Sequence, residues 1–121
     1  MLCVAGPHPI PVTSYVRIGD ERIVVALGSR RETLAHLRDD PAAAFCVLGK
    51  GVAFTAHCRA TVVREALDAA AGNAAVELRV ERVQDHLADG RTEILDGAQW
   101  RWTDAGAAAL QPRILAELET L

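Results

Sequence analysis

Two uninterrupted apolar runs are the strongest pattern in this chain. The first covers residues 23–27 and begins with β-branched side chains, and the second covers residues 42–48. Runs of this length are too short for a buried helix, so each predicts a strand that is covered on both faces. A third segment, residues 52–63, alternates apolar and polar positions and predicts a strand with one buried face.

Weaker strand patterns surround these three. Residues 2–5 form a short apolar run, and residues 10–18 alternate, with Ser14 on one face and Thr13 on the other. Residues 76–80 alternate again, but the apolar phase slips by one position between Val80 and Val83, which predicts a β-bulge or a bend. Together the patterns predict about six or seven strands, joined by tight hairpins in antiparallel pairing.

One short helix is predicted in the middle of the chain. Ser29 and Glu32 have the S-x-x-E spacing of a capping box, in which each side chain satisfies a backbone N–H group at a helix start. Leu34 and Leu37 give this helix an apolar stripe, and Asp40-Pro41 ends it.

A second helix is predicted over residues 107–121, where Pro112 indicates a break or a late start. A sheet of six or seven strands with so few helices to cover it must close on itself or fold over. The predicted fold is therefore mainly β (α+β): a small antiparallel barrel with a mid-chain and a C-terminal helix, in a single domain of residues 1–121.

Two arginines stand at the start of the predicted mid-chain helix. Arg30 and Arg31 fall in its first turn, where the partial positive charge of the helix N-terminus disfavours a cation by up to about 1 kcal/mol. The placement becomes favourable when a phosphate lies among the guanidinium groups and the free N–H donors. Alternatively, Ser29 is only a helix cap, and the arginines are solvated or paired with carboxylates such as Glu32 or Asp39. This stretch alone favours neither interpretation.

Charge and composition exclude several classes of function. The chain of 121 residues carries a formal net charge of −3, which argues against a protein that binds nucleic-acid backbone. No apolar run approaches the roughly 20 residues of a membrane-spanning helix, and the first residues lack the features of a signal peptide. We therefore expect a cytoplasmic protein without a membrane or nucleic-acid partner.

Neither a metal site nor a catalytic group is predicted. Cys3, Cys46 and Cys58 lie far apart in apolar segments and are expected to be small buried side chains. His57 and Cys58 are neighbours, but adjacent side chains of a strand point to opposite faces and cannot chelate one ion together. None of the four histidines stands in a recognisable acid–base pair, so the catalytic residues are unknown.

Five stretches in a fixed order carry a family resemblance. They are Pro11-Val12-Thr13, the apolar run 23–27, Gly28-Ser29-Arg30-Arg31, Leu37-Arg38-Asp39-Asp40-Pro41 and Arg59-Ala60-Thr61-Val62-Val63. In order and spacing they resemble the split β-barrel flavoproteins, which are the pyridoxamine 5′-phosphate oxidase-like family with its FMN- and F420-binding relatives. The resemblance covers residues 2–65 well and the remainder in outline.

The resemblance implies a split β-barrel homodimer with cofactors at the subunit interface. The cofactor would be FMN, or alternatively F420, and the protein would be an oxidoreductase that acts on a small-molecule substrate. In such proteins the serine and basic residues of the turn bind the cofactor phosphate. This assigns Ser29, Arg30 and Arg31 to the phosphate, with Gly28 in the same turn.

The resemblance also assigns residues to the isoalloxazine ring. The strand before the first hairpin lies near the ring, which implies that Thr13 and Ser14 present hydroxyls or backbone groups to it. An aromatic residue late in the chain often completes the site, which here means Trp100 or Trp102, with Trp102 as the candidate. The alternative is that at least one of these tryptophans only packs against the barrel.

The sequence also departs from the family. The usual N-terminal helix has no counterpart, although an upstream start could restore it, and Cys58 occupies a place where many relatives have glycine. The further arginine, lysine and glutamine residues of pyridoxamine phosphate oxidation are not found, which argues against vitamin B6 chemistry. Two alternatives to an oxidoreductase stay open. One is a split barrel that binds FMN, F420 or another ligand without turnover, and the other is a dimerisation barrel with an empty cleft.

Overall fold

The structure, a computed structural model, describes residues 1–121. It contains seven strands and two helices, which confirms the predicted mainly β fold with a mid-chain and a C-terminal helix. The strands are β1 (Leu2–Val4), β2 (His8–Ile10), β3 (Tyr15–Ile18), β4 (Arg22–Gly28), β5 (Ala42–Gly49), β6 (Val52–Arg64) and β7 (Asn73–Asp85). The helices are α1 (Glu32–Asp39) and α2 (Ala105–Glu119), and neither is long and apolar enough to cross a bilayer.

All seven strands belong to one antiparallel sheet in the order β2-β1-β5-β6-β7-β4-β3. The two edge strands, β2 and β3, are consecutive in the chain and are joined only by residues 11–14. The five residue steps from β2 to β3 span at most about 18 Å, whereas six strand spacings in a flat sheet span about 29 Å. The sheet must therefore curl until its edges approach each other. No ladder joins β2 to β3, so the result is an open, split barrel.

The larger hydrophobic core fills the inside of the curled sheet. Its fourteen buried residues include Phe45 of β5, Val25 of β4 and Leu78 of β7. Leu34 and Leu37 of α1 belong to the same cluster, which confirms the predicted apolar stripe of that helix. Helix α1 is therefore fixed against the barrel by the burial of these two side chains.

The C-terminal helix covers the outer face of the sheet. Ile114 and Leu118 of α2 pack in a second buried cluster with Val24 of β4 and Ala75 of β7. Val24 and its neighbour Val25 are both fully buried, one in each cluster. This confirms the prediction that residues 23–27 form a strand covered on both faces.

The long hairpin of β6 and β7 contains the predicted bulge. His57 pairs with Arg82, whereas Cys58 pairs with Val80, so Glu81 has no partner in the ladder. The extra residue lies inside the stretch where the apolar phase slips.

Three predicted elements were wrong in detail. The strand over residues 42–48 is not covered on both faces: β5 alternates and Leu48 is 58% exposed, because the buried cluster under α2 contains no residue of β5. The strand predicted over residues 10–18 is divided between β2 and β3, because the chain crosses from one sheet edge to the other there and Pro11 has no N–H for a ladder. Pro112 does not break the last helix but lies inside it. That helix starts early, where Asp104 accepts hydrogen bonds from Gly106 N and Ala107 N, and burial of Leu118 stabilises the turns after the proline.

Candidate functional site

An open cleft of about 390 Å³ lies between the crossing segment 11–14 and helix α2. The end of β4, residues 26–28, lines it together with Leu110 and Ile114 of α2. Nine of its fifteen lining residues are hydrophobic, and the others include Thr13, Ser14, Arg31 and Asn73. The volume is at the low end of the roughly 300–1,000 Å³ of small-molecule sites. The cleft therefore has the size and the mixed apolar and polar lining of a small-molecule site.

The crossing segment is fixed by a glutamine of α2. Ser14 Oγ donates a hydrogen bond of 2.6 Å to Gln111 Oε1, and Gln111 Nε2 donates one of 3.1 Å to the Thr13 carbonyl. The Ser14 carbonyl accepts from Ala26 N of β4 at 2.9 Å. The hydroxyl of Ser14 therefore already forms a hydrogen bond within the chain, and only 7% of the residue is exposed. Thr13, in contrast, is exposed and lines the cleft.

Helix α1 starts later than the capping-box spacing predicts. It begins at Glu32, and its N-cap is Arg31, whose side chain makes no capping hydrogen bond. Ser29 and Arg30 belong to the preceding turn, where Ser29 N donates to the carbonyl of Gly72 at 2.9 Å. The capping box was therefore wrong, because this long-range bond keeps Ser29 outside the helix. The two arginines precede the first turn and do not lie within it.

Arg31 reaches the cleft by folding back over Gly28. The Arg31 N–H donates to the Gly28 carbonyl at 3.1 Å, and a Cβ atom added to Gly28 would lie 3.3 Å from Arg31 Cγ. The absence of a side chain at Gly28 thus leaves room for the stem of the arginine. Arg30 does not line the cleft. It lies beside it, in a more open depression of about 400 Å³ with Ser29 and Arg38, which Arg31 also lines.

Neither of the two neighbouring arginines is neutralised within the chain. The arginines that form ion pairs are Arg17, Arg22, Arg38, Arg64 and Arg79. Arg30 and Arg31 form no ion pair, so the interpretation in which they pair with Glu32 or Asp39 was wrong. Both are exposed, and their guanidinium groups are available to solvent or to an external anion.

Trp102 lines the cleft from the irregular segment that precedes α2. It is 38% exposed, and its ring meets that of Trp100 edge-on with the centroids 5.2 Å apart. The same segment passes close to β5 at Gly97, where an added Cβ would lie 2.6 Å from the carbonyl oxygen of Leu48. Neither tryptophan is buried, and Trp102 lines the cleft while Trp100 does not.

The structure brings most of the predicted site residues together. Those that line the cleft are Thr13, Ser14, Gly28, Arg31 and Trp102. Ser29 and Arg30 border it in the adjoining depression.

Sequence reasoning missed two polar residues of this region. Asn73 lines the cleft because the ladder between β4 and β7 sets it opposite Gly28, and its side chain makes no hydrogen bond within the chain. Gln111 lies behind the crossing segment and fixes its position. No local pattern signals either residue, since both positions arise from pairing between distant segments.

The cleft lining contains no histidine, cysteine, lysine or carboxylate. Its polar groups are two hydroxyls, one amide, one guanidinium and one indole, none of which is an ordinary general acid or base near neutral pH. Comparison of the sequence with protein-family models and with curated proteins finds no match.

Proposed function

We propose that this cleft binds FMN, with the cofactor phosphate at Arg31 and the isoalloxazine ring between the crossing segment 11–14 and Trp102. The observation that carries the proposal is an arginine without an acidic partner, folded over a glycine at the edge of a mostly apolar cleft. A charge-assisted hydrogen bond from a guanidinium to a phosphate is stronger than one between neutral groups.

The phosphate end would be completed by the groups around the start of α1. Arg30 and Arg38 lie in the adjoining depression, and Arg38 already pairs with Glu65. Arg30 would therefore add positive potential from the side, while Arg31 would contact the phosphate directly. F420 also carries a phosphate, so it is the alternative cofactor on the same grounds.

The ring end would use the apolar lining and two polar edges. Trp102 lines the cleft and would supply an aromatic side chain for stacking against the flavin. Asn73, whose side-chain amide makes no hydrogen bond within the chain, and Thr13 offer donors and acceptors for the polar edge of a flavin.

In this proposal a second copy of the chain covers the open side of the cleft, because Trp100 beside it is 56% exposed and a dimer would bury that surface.

We infer a flavin-dependent oxidoreductase in which the cofactor carries the hydride or electron chemistry on a small-molecule substrate. The chain's own residues would bind the cofactor, orient it and exclude water on one side. A second candidate is a split barrel that binds the cofactor without turnover. The absence of any acid or base from the cleft lining favours that candidate.

The two candidates are separated by binding and turnover measurements on the same protein. FMN and F420 are titrated separately into the purified chain, and binding is followed by the quenching of tryptophan fluorescence and of cofactor fluorescence. The loaded protein is then mixed with NADH or NADPH and a quinone acceptor, and its mass in solution is measured with and without cofactor. Binding with reduction of the flavin supports the oxidoreductase, and binding without reduction supports the second candidate. Failure to bind either cofactor contradicts both.

A further inference from the structure

A cluster of three possible metal ligands lies where the N-terminal hairpin meets helix α1. His8 of β2, Glu32 of α1 and His36 of α1 each offer one ligand atom, and these atoms lie within 4.8 Å of one another. The rings of His8 and His36 have centroids 5.0 Å apart and planes inclined by 31°. Glu32 and His36 share a helix face because they are four residues apart. His8 lies on strand β2, 24 residues before Glu32 in the sequence, so no local spacing predicts the site.

The groups of this cluster are otherwise uncommitted. The Glu32 carboxylate forms no ion pair with any basic side chain. The ring of His36 makes no side-chain hydrogen bond within the chain, and the turn at Gly6 lies against it: an added Cβ there would be 3.6 Å from His36 Nδ1 and Cε1. The contact with the turn limits where this ring can move.

His8 has a hydrogen-bond partner that can orient its ring. Its Nε2 atom lies 3.1 Å from Thr33 Oγ1, and Thr33 is fully buried. When Nε2–H donates to this hydroxyl, the lone pair of Nδ1 is left for a metal. A hydrogen bond of this kind fixes the orientation and the tautomer of a ligating imidazole.

We propose that His8, Glu32 and His36 form a binding site for a divalent transition-metal ion such as Zn²⁺. Two imidazoles and one carboxylate are a donor set suited to Zn²⁺, Co²⁺ or Fe²⁺ and unsuited to Mg²⁺ or Ca²⁺, which prefer oxygen ligands. Ligand atoms around a tetrahedral zinc ion lie roughly 3.3 Å apart. The present ligand atoms lie within 4.8 Å of one another, so binding would require them to move closer, and Glu32 is exposed and unpaired.

The site would join β2 to α1 and would leave at least one coordination position open. Three protein ligands with an open position are typical of zinc ions that bind a water or a substrate. Glu32 follows Arg31 and His8 lies two residues before Ile10, and both Arg31 and Ile10 line the cleft. The metal proposal stands apart from flavin binding, since it depends on none of the cleft residues.

Cobalt titration of the full chain tests the proposal. We expect one equivalent of Co²⁺ to produce visible ligand-field bands that Zn²⁺ displaces and Mg²⁺ does not. Glu32→Gln, His8→Ala and His36→Ala should each abolish the bands. Thr33→Val, which removes only the outer hydroxyl, should weaken Co²⁺ binding by about tenfold or more. The matched control is His86→Ala, because His86 bonds to Thr55 and lies outside the cluster.

Three results would overturn the proposal. The first is an absence of visible bands with the wild-type chain. The second is retention of the bands in Glu32→Gln, whose exposed side chain can be replaced without unfolding the protein. The third is a sulfur-to-cobalt charge-transfer band in the near ultraviolet, which would assign the ion to the cysteines. Circular dichroism of each variant shows that a loss of binding is not a loss of fold.

Discussion

The Ser14 hydroxyl donates to Gln111 Oε1 at 2.6 Å, across 97 residues of sequence. The same glutamine donates to the Thr13 carbonyl, so one side chain of α2 holds two of the four residues that cross between the sheet edges. The crossing segment 11–14 is thereby held in place and forms one wall of the cleft. The position of the crossing segment depends on α2 being docked.

We expect Gln111→Ala to destabilise the protein and to loosen this wall. Two hydrogen bonds are lost, and the free energy of unfolding should fall by about 1–3 kcal/mol. Urea denaturation measures the change, and FMN affinity should fall in parallel although Gln111 lines no part of the cleft. The matched control is Gln84→Ala at the exposed end of β7, which should change the free energy of unfolding by less than about 0.5 kcal/mol. Equal effects of the two variants would contradict this role of Gln111.

Glu117 should make the stability of the protein depend on acid pH. Its carboxylate accepts from Ala69 N, Asp68 N and Arg64, and these bonds, that from Ala69 foremost, lower its pKa below the usual 4.5. The unfolded chain therefore takes up the proton first, and stability is lost as the pH falls from about 4.5 through the lower pKa of the folded state.

Denaturation of Glu117→Gln at several pH values measures this contribution. The variant should be less stable than wild type at neutral pH, and the difference should shrink as the solution is acidified below 4.5. Glu119→Gln is the control, since Glu119 is exposed on the same helix. A gap between Glu117→Gln and wild type that does not change with pH would contradict the assignment.

Cys58 should be the least reactive of the three thiols. Burial, followed by the negative charge of Glu81, raises the pKa of Cys58 from 9.0 to about 11. A thiol-specific disulfide reagent should modify Cys58 only after unfolding, whereas the half-buried Cys3 and Cys46 should react in the native protein. Mass spectrometry of the labelled chain identifies the modified positions, and native labelling of Cys58 ahead of the other two would contradict the prediction.

The raised pKa of Cys58 also predicts that the protein loses stability at alkaline pH. The unfolded thiol ionises first as the pH rises through 9, so the contribution of Cys58 is full below pH 9 and is lost as the pH approaches 11. Cys58→Ala should lack this alkaline loss of stability when urea midpoints are compared below and above pH 9. An alkaline loss of equal size in the variant would assign the effect to another group.

The apolar pattern alone predicted much of the fold. The two apolar runs became β4 and β5, and the phase slip near Val83 coincides with the bulge at Glu81. Only β4 is covered on both faces, because the outer face of β5 has no helix against it. The interruption of the strand predicted over residues 10–18 was not predictable in this way. It follows from the return of the chain to the opposite sheet edge, which alternation does not encode.

The candidate site was predicted less completely, for a related reason. The spacing of Ser29 and Glu32 fits a capping box, but a distant carbonyl, that of Gly72, takes the Ser29 N–H and delays the helix. Asn73 enters the cleft through strand pairing with Gly28. Local spacing identifies residues that act within one turn or one strand, whereas these contacts need the register of the whole sheet.

In the proposed complex, Arg31 binds the phosphate of a flavin nucleotide in the cleft. The most direct measurement compares FMN with riboflavin, which lacks the phosphate, in the wild-type chain and in Arg31→Ala, with Arg17→Ala as an exposed arginine control paired with Asp20. We predict that Arg31→Ala weakens FMN binding by about 10- to 100-fold, as expected for a lost charged hydrogen bond, and leaves riboflavin affinity unchanged. Arg17→Ala should bind FMN as tightly as the wild-type chain. Unchanged FMN affinity in Arg31→Ala, or an equal loss for both flavins, would contradict the account.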